Sequence, residues 1–149
     1  MSSPVQMAIK PVIEASTTAT LQECRSFLER QLRLVVGPLS VEGDTIFAGF
    51  ASAEYANQAA VKLLTSGFRV GARQWQIGVA SNGGPLQAIQ LANAARPGEA
   101  IIAREVHDFL TVSSRAHYLP SETIAGREAC RTLPRGVRRA FLVTPMGEP

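Results

Sequence analysis

Apolar residues recur every two residues in some stretches of this chain, as in strands, and about every 3.6 residues in others, as in helices. The order of these stretches is the sequence feature that most constrains the fold. Residues 5–13 alternate as in a strand, and residues 21–35 repeat on one face of a helix. Residues 39–50 have the pattern of a β-hairpin, residues 53–66 that of a second helix, and residues 73–80 that of another strand. The first six elements therefore run strand, helix, strand, strand, helix, strand.

This order predicts an α+β fold with a ferredoxin-like βαββαβ core. Alternation on one side of the strands predicts an antiparallel sheet with helices packed on one face. Thr20 and Glu23 have capping-box spacing before the first helix, and Gly37 with Pro38 ends it. The predicted C-terminal αβ additions are a helix at 86–95, a strand at 100–103, a helix at 104–111 and strands at 116–119 and 140–144.

Length and composition exclude several classes of protein. The 149 residues fit a single domain, 1–149, with a core at about 5–144. No apolar run approaches the roughly 20 residues that span a bilayer, and the start has no signal-peptide core. Two cysteines are too few for a disulfide framework, and no Cys/His spacing suggests zinc. We therefore expect a cytoplasmic protein without a membrane partner.

The basic residues concentrate toward the C-terminus. Thirteen of the fifteen are arginine, and six of these lie in 115–139 against Glu122 and Glu128. No aromatic residues are interleaved with them for base stacking, and no nucleic-acid-binding motif is visible. We expect a solvated basic edge and no nucleic-acid partner.

Five stretches resemble, in order, motifs of the class III adenylate/guanylate cyclase catalytic domain, the cyclase homology domain. They are 43–50 (GDTIFAGF), 52–54 (SAE), 76–79 (QIGV), 95–106 (ARPGEAIIAREV) and 133–143 (LPRGVRRAFLV). The resemblance covers about residues 5–144 and agrees with the element order. It implies a cyclase-like fold and a head-to-tail dimer that shares an active site.

The resemblance also implies five chemical positions: two carboxylates that hold two divalent metals, a purine-reading lysine, a ribose-orienting asparagine and a charge-stabilising arginine. In that order they fall on Val12, Asp44, Ser40, Leu86 and Gln90. Only Asp44 keeps the family's residue type, and valine cannot ligate a metal. Asn93 and Arg96 lie later than the family's asparagine and arginine, so we expect them to point elsewhere.

A second departure is architectural. After its "R-I-G-I" strand the family runs through a β-hairpin that helps to build the dimer, whereas here residues 81–85 (SNGGP) lead directly into the next helix. The segment between the first strand and the first hairpin is short as well. Both losses affect the catalytic parts and spare the core, which indicates a degenerate, shortened cyclase homology domain.

Other candidate residues have ordinary structural interpretations. Asp44 follows Gly43 in a hairpin turn. Residues 81–84 could cradle a phosphate, but they lack a complete phosphate-binding motif, and Pro85 at the start of a helix explains them. The remaining expectations are His107 and His117 without obvious partners, Cys24 and Trp75 in the core, and Cys130 in an Arg-rich loop without a histidine nearby.

We therefore expect a catalytically inactive cyclase-like module of bacterial signalling that works by protein–protein contact, with a protein partner or a second copy. We expect no catalytic, cofactor-binding or metal-binding residue and no cofactor. One alternative is an active nucleotidyl cyclase with relocated ligands, using Asp44 with Glu14, magnesium or manganese, and ATP or GTP. Another is a sensor that keeps a groove for a nucleotide or small molecule without the chemistry.

Overall fold

The computed structural model describes residues 5–13, 21–65, 72–81 and 84–133. Within them no helix is long and apolar enough to cross a membrane. The elements in chain order are β1 (Val5–Ile13), α1 (Leu21–Gln31), β2 (Ser40–Glu42), β3 (Thr45–Phe50), α2 (Ala53–Thr65), β4 (Ala72–Ala80), α3 (Gly84–Ala94), β5 (Glu99–Ala103), α4 (Arg104–His107), α5 (Val112–Arg115), β6 (Glu122–Ile124) and β7 (Arg127–Arg131). This order confirms the predicted α+β class.

The seven strands form one sheet in the order β2-β3-β1-β4-β5-β7-β6. Its first four strands have the ferredoxin-like arrangement, because β1 pairs with both β3 and β4. One pair, β4 with β5, is parallel, since α3 carries the chain back along the sheet before β5 begins. The sheet is therefore mixed, which corrects the prediction of an antiparallel sheet.

Helices cover both faces of the sheet, which corrects the predicted single-face packing. Phe27 of α1 stacks on Trp75 of β4, with ring centroids 6.1 Å apart. Gly78 lies three residues after Trp75 in β4 and therefore faces the opposite side of the sheet, where α3 packs directly over it. Its partner on β1 is Ala8, so two small residues let the Ala-rich α3 approach the sheet closely. The alternation looked one-sided because β1 and β4 carry small and polar residues on this second face, with Ala8 paired to Gly78 and Lys10 paired to Gln76.

Helix α1 ends at Gln31, four residues before Val35, the last residue of the helical apolar repeat in the sequence. Leu34 has φ +64°, in the left-handed region, so the helical repeat stops before it. Val35 then forms a single antiparallel bridge with Phe50. The apolar residues that extend the predicted helix to residue 35 belong instead to a segment that runs along the edge of the sheet.

The C-terminal additions differ most from the sequence prediction. Residues 116–119 contain one bridge, from Tyr118 to Thr132, in place of the predicted strand. The hairpin β6–β7 was not predicted, because its strands carry four charged residues. The strand predicted at 140–144 lies outside the described residues.

The β6–β7 turn gives a prediction about stability. Ala125 and Gly126 have φ +52° and +81°, as in a type I′ turn, where a left-handed alanine is strained. Asparagine tolerates this conformation, so Ala125→Asn is expected to raise the free energy of unfolding by about 0.5–1 kcal/mol in urea titrations. The control Ala116→Asn, at φ −67°, should give no gain; equal gains would contradict the explanation.

Candidate functional site

The β2–β3 hairpin places Asp44 at one end of the sheet. Gly43 and Asp44 form its two-residue turn, in which Gly43 has φ +61°, as the first position of a type II′ turn requires. The Asp44 side chain is exposed, and its Oδ1 accepts a hydrogen bond of 3.0 Å from the Thr45 hydroxyl. Asp44 is thus a turn residue with a carboxylate free to approach neighbouring elements.

Lys10 brings a cation to the same end of the sheet. Its Nζ lies 3.6 Å from Asp44 Oδ2 and donates a hydrogen bond of 2.7 Å to Asn93 Oδ1, in the last turn of α3. A strand, a hairpin and a helix therefore meet at one ammonium group. Asn93 points toward Lys10 because α3 lies on the face of β1 that carries this lysine.

Lys10 was not predicted as part of this site, although the pairing of polar residues on neighbouring strands indicates its role. Lys10 is the register partner of Gln76, so the two central strands place polar residues side by side on the face that α3 covers. Gln76 Nε2 donates to the Ala95 carbonyl at 2.5 Å, just past the C-terminal end of α3, where an α-helix leaves carbonyls without intrahelical partners. Paired polar residues on central strands indicate a polar contact with the covering element.

The other positions that the cyclase resemblance singles out do not supply matching chemistry. Val12 is half-buried, Ser40 and Gln90 are exposed, and Leu86 is 66% exposed near the start of α3. In the described part of the chain, no three His, Cys, Asp or Glu residues cluster as a metal site. Glu14 and residues 82–83 lie outside the described residues.

The donor set at this end does not fit a pair of divalent ions. Magnesium and manganese prefer several oxygen ligands, and two-metal sites rely on carboxylates. The described residues offer Asp44, which already faces an ammonium, and the amide oxygen of Asn93, which accepts from the same ammonium. No catalytic step through a metal follows from this arrangement.

The two cysteines and His107 lie in surroundings that shift their pKa values. Cys130 lies buried in β7, not in a loop, and burial raises its pKa to about 11. Burial also raises the pKa of Cys24, which lies in the core as predicted. His107 is half-buried and makes a T-shaped ring contact with Tyr118; burial lowers its pKa, with a further contribution from the Arg115 charge. Both thiols are therefore poor nucleophiles at neutral pH.

A second surface lies at the opposite end of the strands. A mostly apolar groove of about 350 Å³ opens between Val5, Ala51, Ala53, Val106 and Phe109, and its remaining lining residues are polar: Ser52, Glu54 and Ser81. Val5 precedes Lys10 by five residues of β1, which corresponds to about 17 Å along the strand. Phe109, which lines the groove, is 79% exposed, and Val112, three residues later in the chain, is 82% exposed. We call the groove with these two residues the apolar surface.

Glu54 anchors the segment that carries the apolar surface. Its Oε2 accepts the Thr111 backbone N–H at 2.6 Å, and its Oε1 accepts the Ser114 hydroxyl at 2.8 Å. The segment between α4 and α5 is thereby fixed to the first turn of α2. Sequence reasoning matched Glu54 to a family motif but assigned it no role.

The sequence matches no protein-family model and no curated protein. Solved structures of cyclase domains do match the fold. The monomeric guanylyl cyclase domain of the RhoGC fusion protein from the aquatic fungus Blastocladiella emersonii has a TM-score of 0.57 at 11% identity, covering 89% of this chain and 96% of that one.

Two further structures agree with this likeness. A dimeric form of the same fungal domain has a TM-score of 0.54 at 12% identity and covers 92% of this chain and 100% of its own. An adenylate/guanylate cyclase/hydrolase from Silicibacter pomeroyi has a TM-score of 0.53 at 15% identity, with coverages of 89% and 98%. At such identities the likeness concerns the fold.

Proposed function

We propose that this chain, which has the fold of class III adenylate/guanylate cyclase catalytic domains, is a non-catalytic cyclase homology module that acts in cytoplasmic signalling by contacting another protein surface. The observation that carries the proposal is the apolar surface, where the exposed Phe109 lines a mostly apolar groove and Val112, three residues later in the chain, is exposed as well. Large apolar side chains grouped on a surface mark interaction sites. This surface lies at the other end of the strands from Asp44.

The chemical positions support the non-catalytic half of the proposal. Val12 and Leu86 replace a metal ligand and a ribose-orienting amide, and both are apolar. Only three residues, 81–83, separate β4 from α3, too few for the further hairpin that helps to build the dimeric active site in the family. A cyclase reaction needs these groups at once, because all of them act on the same nucleoside triphosphate molecule.

The partner that we propose first is a second copy of this chain. The apolar surface contains both an exposed aromatic ring, Phe109, and the groove that this ring helps to line. In a two-fold arrangement the ring of one copy can fill the groove of the other, and the reverse contact forms by symmetry. Dimeric as well as monomeric forms occur among the structurally similar cyclase domains.

Sedimentation velocity over a range of protein concentrations tests this contact. The wild type is expected to shift toward the dimer, and Phe109→Ser/Val112→Ser is expected to weaken association by at least about tenfold, as for aromatic anchors at interfaces. Leu86→Ser is the matched control, since Leu86 is also largely exposed but lies on α3. Equal association of the wild type and the double variant would contradict the proposed contact, and a wild type that stays monomeric would exclude self-association.

A separate assay tests the absence of catalysis. Purified protein is incubated with ATP or GTP and Mn²⁺, and mass spectrometry measures the cyclic product. We expect none, either from the wild type or from Asp44→Ala. Product from the wild type that disappears in Asp44→Ala would establish an active cyclase instead. A nucleotide-dependent rise in melting temperature without product would favour the sensor alternative.

A further inference from the structure

The Lys10 ammonium is held in place from two directions. Its stem rises from the central strand β1, and Nζ donates to Asn93 Oδ1 at 2.7 Å while lying 3.6 Å from Asp44 Oδ2. The lysine side chain is only 23% exposed, so it is packed along its length rather than extended into solvent. A positive charge therefore stays beside the hairpin turn.

We propose that Lys10 is a tethered cation that takes the place of a divalent metal ion at this end of the sheet. It neutralises Asp44, and it repels any Mg²⁺ or Mn²⁺ that approaches the same carboxylate. Asn93 contributes by directing its amide oxygen at the ammonium, which removes a second oxygen from the set that a metal could use. The site is closed to metal by charge as well as by the loss of a ligand.

The effect of the Lys10 charge and the effect of the missing carboxylate at Val12 can be separated by experiment, because they involve different residues. Val12 lies two residues beyond Lys10 on β1, and alternate residues of a strand share a face. An aspartate at position 12 would therefore restore a second carboxylate to the face that carries Lys10. If the tethered cation excludes the metal, this carboxylate alone does not restore metal binding.

The experiment measures Mn²⁺ binding to the full chain by electron paramagnetic resonance of free Mn²⁺ and by calorimetry. We expect no binding by the wild type. Val12→Asp/Lys10→Met is expected to bind Mn²⁺ at least about tenfold more tightly than Val12→Asp, because the double variant removes the repulsion while methionine keeps much of the apolar stem. Mn²⁺ should also raise the melting temperature of the double variant.

The other lysine of the chain supplies a matched control. Lys62 donates to the Gln31 carbonyl, so Val12→Asp/Lys62→Met makes the same change in net charge at another place. It should bind Mn²⁺ no better than Val12→Asp. If Lys10→Met variants do not fold by circular dichroism, Lys10→Gln replaces them, since its amide can still donate to Asn93.

Three results would overturn the proposal: Mn²⁺ binding by the wild type that is lost in Asp44→Ala, equal binding by Val12→Asp and the Lys10 double variant, or no binding by a folded double variant. The inference does not depend on the proposed function, because a protein that binds partners through the apolar surface could still hold a metal at Asp44. The sedimentation experiment can therefore fail while this one succeeds.

Discussion

Replacing Gly78 with alanine is expected to lower the free energy of unfolding by about 3 kcal/mol. A Cβ at this position would overlap the backbone carbonyl oxygen of Ala88 and the backbone nitrogen of Ala92, and it would lie 2.9 Å from Leu91 Cβ. Helical backbone cannot rotate aside as a flexible side chain can, so α3 must move away from β4. No trimming of an α3 side chain relieves an overlap with its backbone.

Urea unfolding followed by the fluorescence of Trp75, the one tryptophan of the chain, measures this loss. Gly43→Ala is the control, because Gly43 has φ +61° but a Cβ added there would meet open space out to 4 Å. It should cost about 1 kcal/mol, from backbone strain alone. A Gly78→Ala cost no larger than that of Gly43→Ala would show that α3 does not pack on β4 as closely as described.

Replacing Arg131 with methionine is also expected to lower the free energy of unfolding by about 3 kcal/mol. Its guanidinium contacts Glu99 at 2.6 Å and Glu122 at 3.1 Å, and the Arg131 and Glu99 side chains are only 19% and 14% exposed. Removal of the cation leaves the Glu99 carboxylate largely out of water without its ion pair. The contact also joins β5 to β7, so its loss loosens that side of the sheet.

A matched exposed pair shows whether burial is the cause. Arg104 pairs with Glu128, and their side chains are 54% and 55% exposed. Arg104→Met should therefore cost much less than Arg131→Met, because water already screens this exposed pair. The double variant Arg131→Met/Glu99→Met should recover part of the loss, because it removes the stranded carboxylate. Similar losses for Arg131→Met and Arg104→Met would contradict the argument.

The core of the fold was predictable because its signals are local. The alternation of Trp75, Ile77 and Val79 defines β4 and its buried face without reference to the rest of the chain. The second covered face was not predictable in this way, since Ala8 and Gly78 are small and carry little pattern. The β6–β7 hairpin was not predicted for a related reason. Its charged strands lack an apolar alternation, and they are held by a two-residue turn and by pairing with β5.

The candidate site also has one residue that local sequence predicts and others that depend on long-range packing. Asp44 was found from its motif and its turn, which are both contained in a few residues. Lys10 and Asn93 are 83 positions apart, so their contact depends on which face α3 covers. The apolar surface likewise depends on the folding of the segment between α4 and α5 against α2. Sequence pattern identified the elements, and long-range packing decided which side chains meet.

The central position of β1 has a consequence for the order in which the chain can fold during synthesis. β1 is made first, yet its two neighbours, β3 and β4, end at Phe50 and Ala80. At about 5–20 residues per second, the ribosome needs roughly 4–15 s after Val5 to reach the end of β4. Until then one hydrogen-bonding edge of β1 has no strand to pair with, and such an unpaired edge can pair with strands of other chains.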